Sequence, residues 1–159
     1  MNQIFDFVSN EDKPALLAFS TPAWLDTAKT ALEELGYKVH TAATHSDFLM
    51  RFSQAQYQVV VMEELFGANI PAENIALRTF QQMPASQRRH TTAVLIGNSF
   101  QTFAPMEAFQ HSVHAVINSS EIFLLKQLIE KAVSDNLDFH RSFREVQHRV
   151  VTSGRRDRL

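Results

Sequence analysis

The sequence predicts an α/β fold, a doubly wound three-layer sandwich built on a five-stranded parallel sheet, and three observations predict it. Short apolar runs recur five times, at PALLAFS (14–20), KVHTAA (38–43), YQVVVMEE (57–64), TAVLIGNS (92–99) and VHAVINS (113–119). Stretches with apolar residues at helical spacing separate them. Most of the runs are apolar on both faces rather than alternating, as parallel strands are when helices cover each side of the sheet.

Each element has its own local reason. Thr21-Pro22 opens the first helix, with threonine at the N-cap and proline in the first turn. Leu25, Ala28, Leu32 and Leu35 then recur at helical spacing until Gly36 ends the run. Thr44-His-Ser-Asp opens a second helix with Phe48, Leu49 and Phe52 on one face. After the third strand, a loop around Gly67 to Pro71 leads into a helix through Ile75, Leu77 and Phe80. The polar MPASQRRHT (83–91) reads as a surface connection. A less regular helix follows over 101–110, with Pro105 near its start or in a break. A long helix begins near Ser120 and Glu121. Five β-α units in about 120 residues fit the flavodoxin-like strand order 2-1-3-4-5, in which ligands sit beyond the carboxyl ends of the strands. Those ends are Phe19-Ser20, Glu63-Glu64, Gly97-Asn98 and Asn118-Ser119.

Composition narrows the function classes. With 159 residues the chain fits one domain with an appendage, and 13 phenylalanines supply bulk for its core. A net charge of −2 gives no global electrostatic case for nucleic acid or an anionic membrane. Arg155, Arg156 and Arg158 cluster in the tail and read as solvated. The absence of cysteine excludes a disulfide framework, a zinc–cysteine site and thiol chemistry. Residues 1–13 lack the pattern of a secretory signal, and the apolar runs are too short to span a bilayer, so the expectation is a cytoplasmic protein without membrane insertion. The expected organisation is an amino-terminal segment (1–13), a domain (14–134), a helical extension (135–151) and a basic tail (152–159).

LEELGYKVHTA (32–42), YQVVVME (57–63) and EIFLLKQLIEKA (121–132) resemble response-regulator receiver domains, and the likeness runs from about residue 14 to about residue 134. The resemblance implies an aspartate at the end of strand 3 that takes phosphate from a histidine kinase. It also implies two acids after strand 1 that help hold Mg²⁺, a Thr or Ser after strand 4 and a Lys after strand 5. Three carboxylates make a hard-oxygen pocket for Mg²⁺, which neutralises the transferring phosphoryl charge. This sequence departs at every point. Phe19 and Ser20 replace the acidic pair, and Glu63 takes the acceptor position. Gly97 takes the hydroxyl position, with Ser99 two residues late. Asn118 takes the lysine position, Ser119 follows where proline is usual, and Ala115 replaces the switching aromatic of strand 5. The expectation is therefore an emptied site with no catalytic residue, no metal and no cofactor, in which Phe19 takes the space of a hydrated ion. Glu63 is either an exposed acid that serves solubility or a fixed charge crudely resembling a phosphorylated aspartate. The alternatives are an atypical receiver phosphorylated or metal-bound at the strand-3 end, and a module that binds a small molecule in the vacated pocket.

Other candidates carry less. His111 and His114 have a metal-like spacing but no third ligand nearby in sequence. His40 and His45 read as surface residues, and Trp24 as a packing residue. There is no P-loop, G-x-G-x-x-G or G-x-S-x-G.

The last helix is more informative. Leu125, Ile129, Ala132, Asn136, Phe139, Phe143, Val146 and Val150 follow a 4-3-4-3 spacing. Ile129, Asn136 and Phe143 fall at heptad position a, and Ala132, Phe139 and Val146 at d. A single Asn at a fixes register in parallel coiled coils. The expectation is a homodimer joined through this helix, with a fold-back onto the domain as the alternative. The resulting reading is a non-enzymatic pseudo-receiver that acts by self-association and by contact with an unidentified signalling protein.

Overall fold

In the computed structural model, which describes the backbone of residues 11–156 and the side chains of 11–139 and 141, five parallel strands lie in the order β2-β1-β3-β4-β5. They are β1 (Pro14–Ala18), β2 (Lys38–Ala42), β3 (Val59–Glu63), β4 (Thr92–Gly97) and β5 (Ala115–Asn118). The predicted order holds. Register runs straight across the sheet, with Leu17 opposite Val61, Val61 opposite Val94 and Val94 opposite Ala115.

Side chains alternate across a strand, so each strand feeds two cores. Leu17, Val61, Val94 and Ile117 pack beneath α1 (Pro22–Glu34) and α6 (Leu125–Arg156). Leu16, Val60, Met62, Leu95 and Val116 pack on the other face with Phe48 of α2 (His45–Gln54), Phe80 of α3 (Ile75–Gln82) and Ala108 of α5 (Pro105–His111). A strand with two such faces must be apolar throughout, which is why β3 and β4 read as unbroken runs.

The helix ends follow local chemistry. Gly36, at φ +87°, ends α1, with its N–H donating to Glu33 O and that of Tyr37 to Leu32 O. That pair of bonds needs a left-handed residue at Gly36. Thr44 caps α2 by accepting the Asp47 N–H. The polar 83–91 connection contains a single helical turn, α4 (Ala85–Arg88), entered through Pro84. A 3-10 turn over Ser119–Leu124 precedes α6, because Asn118 Oδ1 accepts both the N–H and the hydroxyl of Ser120 and tightens the chain there.

The long helix corrects part of the seam expectation. Ile129 and Ala132 are buried beneath the domain's own sheet, and Asn136 Nδ2 donates to Thr92 Oγ1 at 2.9 Å. Asn136 therefore sets the seating of α6 on its own β4 rather than pairing with a mate. The 4-3-4-3 stripe serves core burial first, since globular helices use nearly the same spacing as coiled coils. At 1.5 Å per residue, the 32 residues of α6 extend about 48 Å, well past Thr92 at the start of β4. Phe139, one turn beyond Asn136, is 67% exposed. The side chains of Phe143, Val146 and Val150 lie outside the described residues. Among the described residues no helix is long and apolar enough to cross a membrane.

His40 and His45 also depart from the surface reading. His40 is buried, with Nδ1 2.7 Å from the Tyr57 hydroxyl. His45 is half-buried and donates from Nε2 to Phe66 O at 2.7 Å. His40 also stands edge-on to the Tyr57 ring, and His45 edge-on to Phe66. Trp24 packs against the core beneath α1, as expected of a packing residue.

Candidate functional site

The carboxyl ends of β1, β3, β4 and β5 converge where the sequence places the site. Glu63 ends β3 and is only 5% exposed, so the exposed-acid reading is overturned. Its Oε1 accepts the backbone N–H of Ser20 at 2.9 Å and of Thr21 at 2.7 Å, and its Oε2 accepts the Thr21 hydroxyl at 3.3 Å. Ser20 and Thr21 lead directly into α1, whose first amides have no partner within the helix. The Thr21 side chain makes no cap bond of its own. A carboxylate from the neighbouring strand supplies the cap, and the positive end of the helix dipole favours its charge.

The rest of the β3 turn is tied around that contact. Ser20 Oγ accepts the Gly67 N–H at 2.9 Å, and Gly67 holds φ +55°. Asn74 is fully buried and donates from Nδ2 to the carbonyls of Glu63 at 3.0 Å and Glu64 at 3.1 Å. Its Oδ1 accepts the Leu77 N–H and so caps α3. Asn74 and the Thr21 hydroxyl were not among the site residues predicted from sequence. An asparagine directly before the apolar-periodic run from Ile75 is the signal for the first. No sequence signal marks the second, because its partner is 42 residues away.

Phe19 corrects a second expectation. Its ring joins the core under α1 and α6 with Leu125 and Ile129 and does not fill the site. Residues alternate along the strand direction, and position 19 falls on the inward side with Ala15 and Leu17.

The opposite half of the site is stitched by amides and hydroxyls, with Glu64 and Glu121 as acceptors. A Cβ added to Gly97 would stand 2.9 Å from Glu64 Oε1 and 3.0 Å from Phe100 Cε2, so the missing side chain makes room for both. Ser99 donates to Glu64 Oε1 at 3.2 Å and does not reach Glu63. Asn118 Nδ2 donates to Phe100 O at 2.7 Å, and Ser119 Oγ donates to Asn98 Oδ1. Thr102 Oγ1 accepts the Asn118 N–H and donates to Glu121. Asn118 thus bridges the β4 and β5 loops through amide contacts, where a lysine would present a charge. The five predicted positions do converge on one end of the sheet, but Glu63 and Asn118 serve separate networks. Among the described residues no group of three His, Cys, Asp or Glu is arranged to hold a metal ion. His111 and His114 do not act as a pair either, because His114 Nδ1 accepts the Ala93 N–H at 2.9 Å.

Solved structures share this sheet and its helices. A CheY-like response regulator receiver domain protein from Methanospirillum hungatei matches with a TM-score of 0.61 and 16% identity, covering 80% of this chain and 98% of that one. The chemotaxis response regulator CheY4 of Vibrio cholerae matches with a TM-score of 0.58 and 15% identity, covering 76% of this chain and 98% of that one. The chain has the receiver fold. A fusion carrying part of the yeast Spc42 trimeric coiled coil matches with a TM-score of 0.59 and 18% identity, covering 92% of this chain and 98% of that one. No family model and no curated protein matches the sequence.

Proposed function

We propose that the chain is a non-enzymatic pseudo-receiver, a cytoplasmic signalling or scaffold module that acts through protein contacts and self-association without phosphorylation on its strand-3 carboxylate. One observation carries this reading. The carboxylate at the acceptor position is buried and turned onto the Ser20 and Thr21 amides. An acceptor oxygen has to approach phosphorus in line with the leaving group, with cations to offset the charge. Glu63 has neither the access nor the cations, since Ser20 and Asn118 stand where the family pattern has an acid and a lysine. Nor does Glu63 act as a stand-in for a phosphorylated side chain, because its charge is held at the start of α1 rather than offered to the β4 loop.

Self-association is supported by the exposed Leu137 and Phe139 on the part of α6 beyond its seating on β4. The coiled-coil fusion covers more of this chain than either plain receiver does. The test of the phosphorylation-independent reading is incubation with acetyl phosphate and Mg²⁺ followed by intact-mass measurement. No adduct is expected, and a stoichiometric phosphoryl group on Glu63 overturns the proposal.

A further inference from the structure

A groove of about 340 Å³ runs between the end of α1 and the stretch of α6 that leaves the sheet. Leu35, Tyr37, Val133 and Leu137 give it an apolar floor, and Lys13 forms part of its wall. Leu137 stays 60% exposed there, a large apolar side chain at the mouth of an apolar groove. The charges around it balance, Lys13 and Arg141 against Glu130 and Asp138, so apolar contact decides what the groove takes. We propose that residues 1–10 of the same chain dock in this groove, with Phe5 and Phe7 covering Leu137 and Asp6 meeting Arg141.

The point at which the segment joins the domain carries the assignment. Lys13 is pinned to the groove wall. Its carbonyl accepts the Lys38 N–H at 2.8 Å, its Nζ donates to Leu35 O at 3.2 Å, and the same Nζ stands 4.4 Å from the centre of the Tyr37 ring. The segment that precedes Glu11 therefore starts at the edge of the groove. Its reach is ample. Glu130 to Arg141 spans about 16 Å of helix, whereas the stretch from Phe7 to Asp12 can extend about 20 Å. Its composition fits an apolar floor, since MNQIFDFVSN holds Ile4, Phe5, Phe7 and Val8 around one acid, Asp6. Arg141 forms no ion pair among the described residues, which leaves its charge for that acid. Tethering favours this occupant over a second copy, because a short linker holds its end at a millimolar effective concentration.

Docking there sets up a competition. Leu137 is also a contact of the proposed self-association, on which this part of the inference rests, so a docked segment holds two copies apart.

The chain has no cysteine, so thiols can be placed in chosen pairs. Asp6→Cys with Arg141→Cys replaces the ion pair by a disulfide and keeps Phe5, Phe7 and Leu137. In the full chain with oxidised glutathione, an internal disulfide is expected, read as the loss of two hydrogens by intact mass and a monomer band on a non-reducing gel. The control is Asp6→Cys with Met106→Cys, an exposed position on α5, which packs on the opposite face of the sheet. It is expected to link at least about tenfold more slowly. Adding Phe5→Ser and Phe7→Ser to the first pair is expected to slow its linking about tenfold as well. Equal rates in the pair and the control, or no effect of the serines, overturn the docking. A disulfide-linked dimer in place of the internal bond also overturns it and gives the groove to a second copy. In the cysteine-free chain, Phe5→Ser with Phe7→Ser is expected to lower the dimer dissociation constant about tenfold, measured by light scattering on dilution. An unchanged or higher constant overturns the competition. A chain that is monomeric with and without the serines removes self-association and the competition together, whereas the internal disulfide reads the docking by itself.

Discussion

The Thr21 amide donates to Glu63 Oε1 at 2.7 Å, so the residue that opens α1 is held by the residue that ends β3. The two lie on adjacent strands' ends because β1 and β3 are hydrogen-bonded neighbours in the sheet. Removing the carboxylate leaves the Ser20 and Thr21 amides partly buried without acceptors. Glu63→Ala is expected to lower stability by about 2 kcal/mol, and Glu63→Gln by about half of that because its amide oxygen still accepts. Urea unfolding monitored by the single tryptophan checks both, and a Glu63→Ala midpoint equal to the parent's would refute the capping role.

Asn74 separates donation from acceptance. Asn74→Ala loses the cap of α3 and both bonds to the β3 carbonyls, at about 2–3 kcal/mol. Asn74→Asp keeps the acceptor for Leu77 but sets an oxygen against two carbonyl oxygens. It is expected to be at least as destabilising as alanine, and a near-parental Asn74→Asp in thermal unfolding would count against this assignment.

Magnesium offers a check on the strand-end chemistry. With Phe19 turned into the core and Glu63 bonded to amides, millimolar Mg²⁺ is expected to leave the melting temperature where it is. A saturable rise of several degrees would mean that the acids are available to a cation.

Phe139 tests self-association. It is exposed beyond the point where Asn136 anchors α6, so Phe139→Asp removes an apolar contact without touching the core. The parent is expected to be dimeric by light scattering and Phe139→Asp monomeric, with unchanged thermal unfolding of the domain. A parent that is monomeric at tens of micromolar would defeat the dimer.

Tyr37 gives a pH signature. Burial raises its hydroxyl above the ordinary value of 10.0, so the folded protein keeps its proton where the unfolded chain has lost it. The folded pKa being the higher one, the contribution is intact below pH 10.0 and is lost as pH rises from there through the folded value. Stability is expected to fall over that alkaline window less steeply in Tyr37→Phe than in the parent. Equal slopes in denaturant titrations across the window would remove the tyrosine from the account.

By itself the sequence determined the layer architecture, the strand order and the helix boundaries at Pro22, Gly36 and Thr44. These are local matters: whether a run is apolar on one face or two, and which residues cap or break a helix, is decided within a few positions. It also placed Phe19, Ser20, Glu63, Gly97 and Asn118 together at the strand ends, since parallel topology brings every carboxyl end to one edge. Only the tertiary structure decided what those residues do there. Glu63 reads as an exposed acid until β1 is placed beside β3, because its partners are amides, which every residue carries and no side-chain pattern announces. Asn136 reads as a coiled-coil register residue until α6 is laid on β4, where Thr92 meets it across 44 positions of chain. Local sequence specifies where a helix or strand begins and ends, whereas the partner of a buried polar atom depends on which distant backbone the fold carries to it.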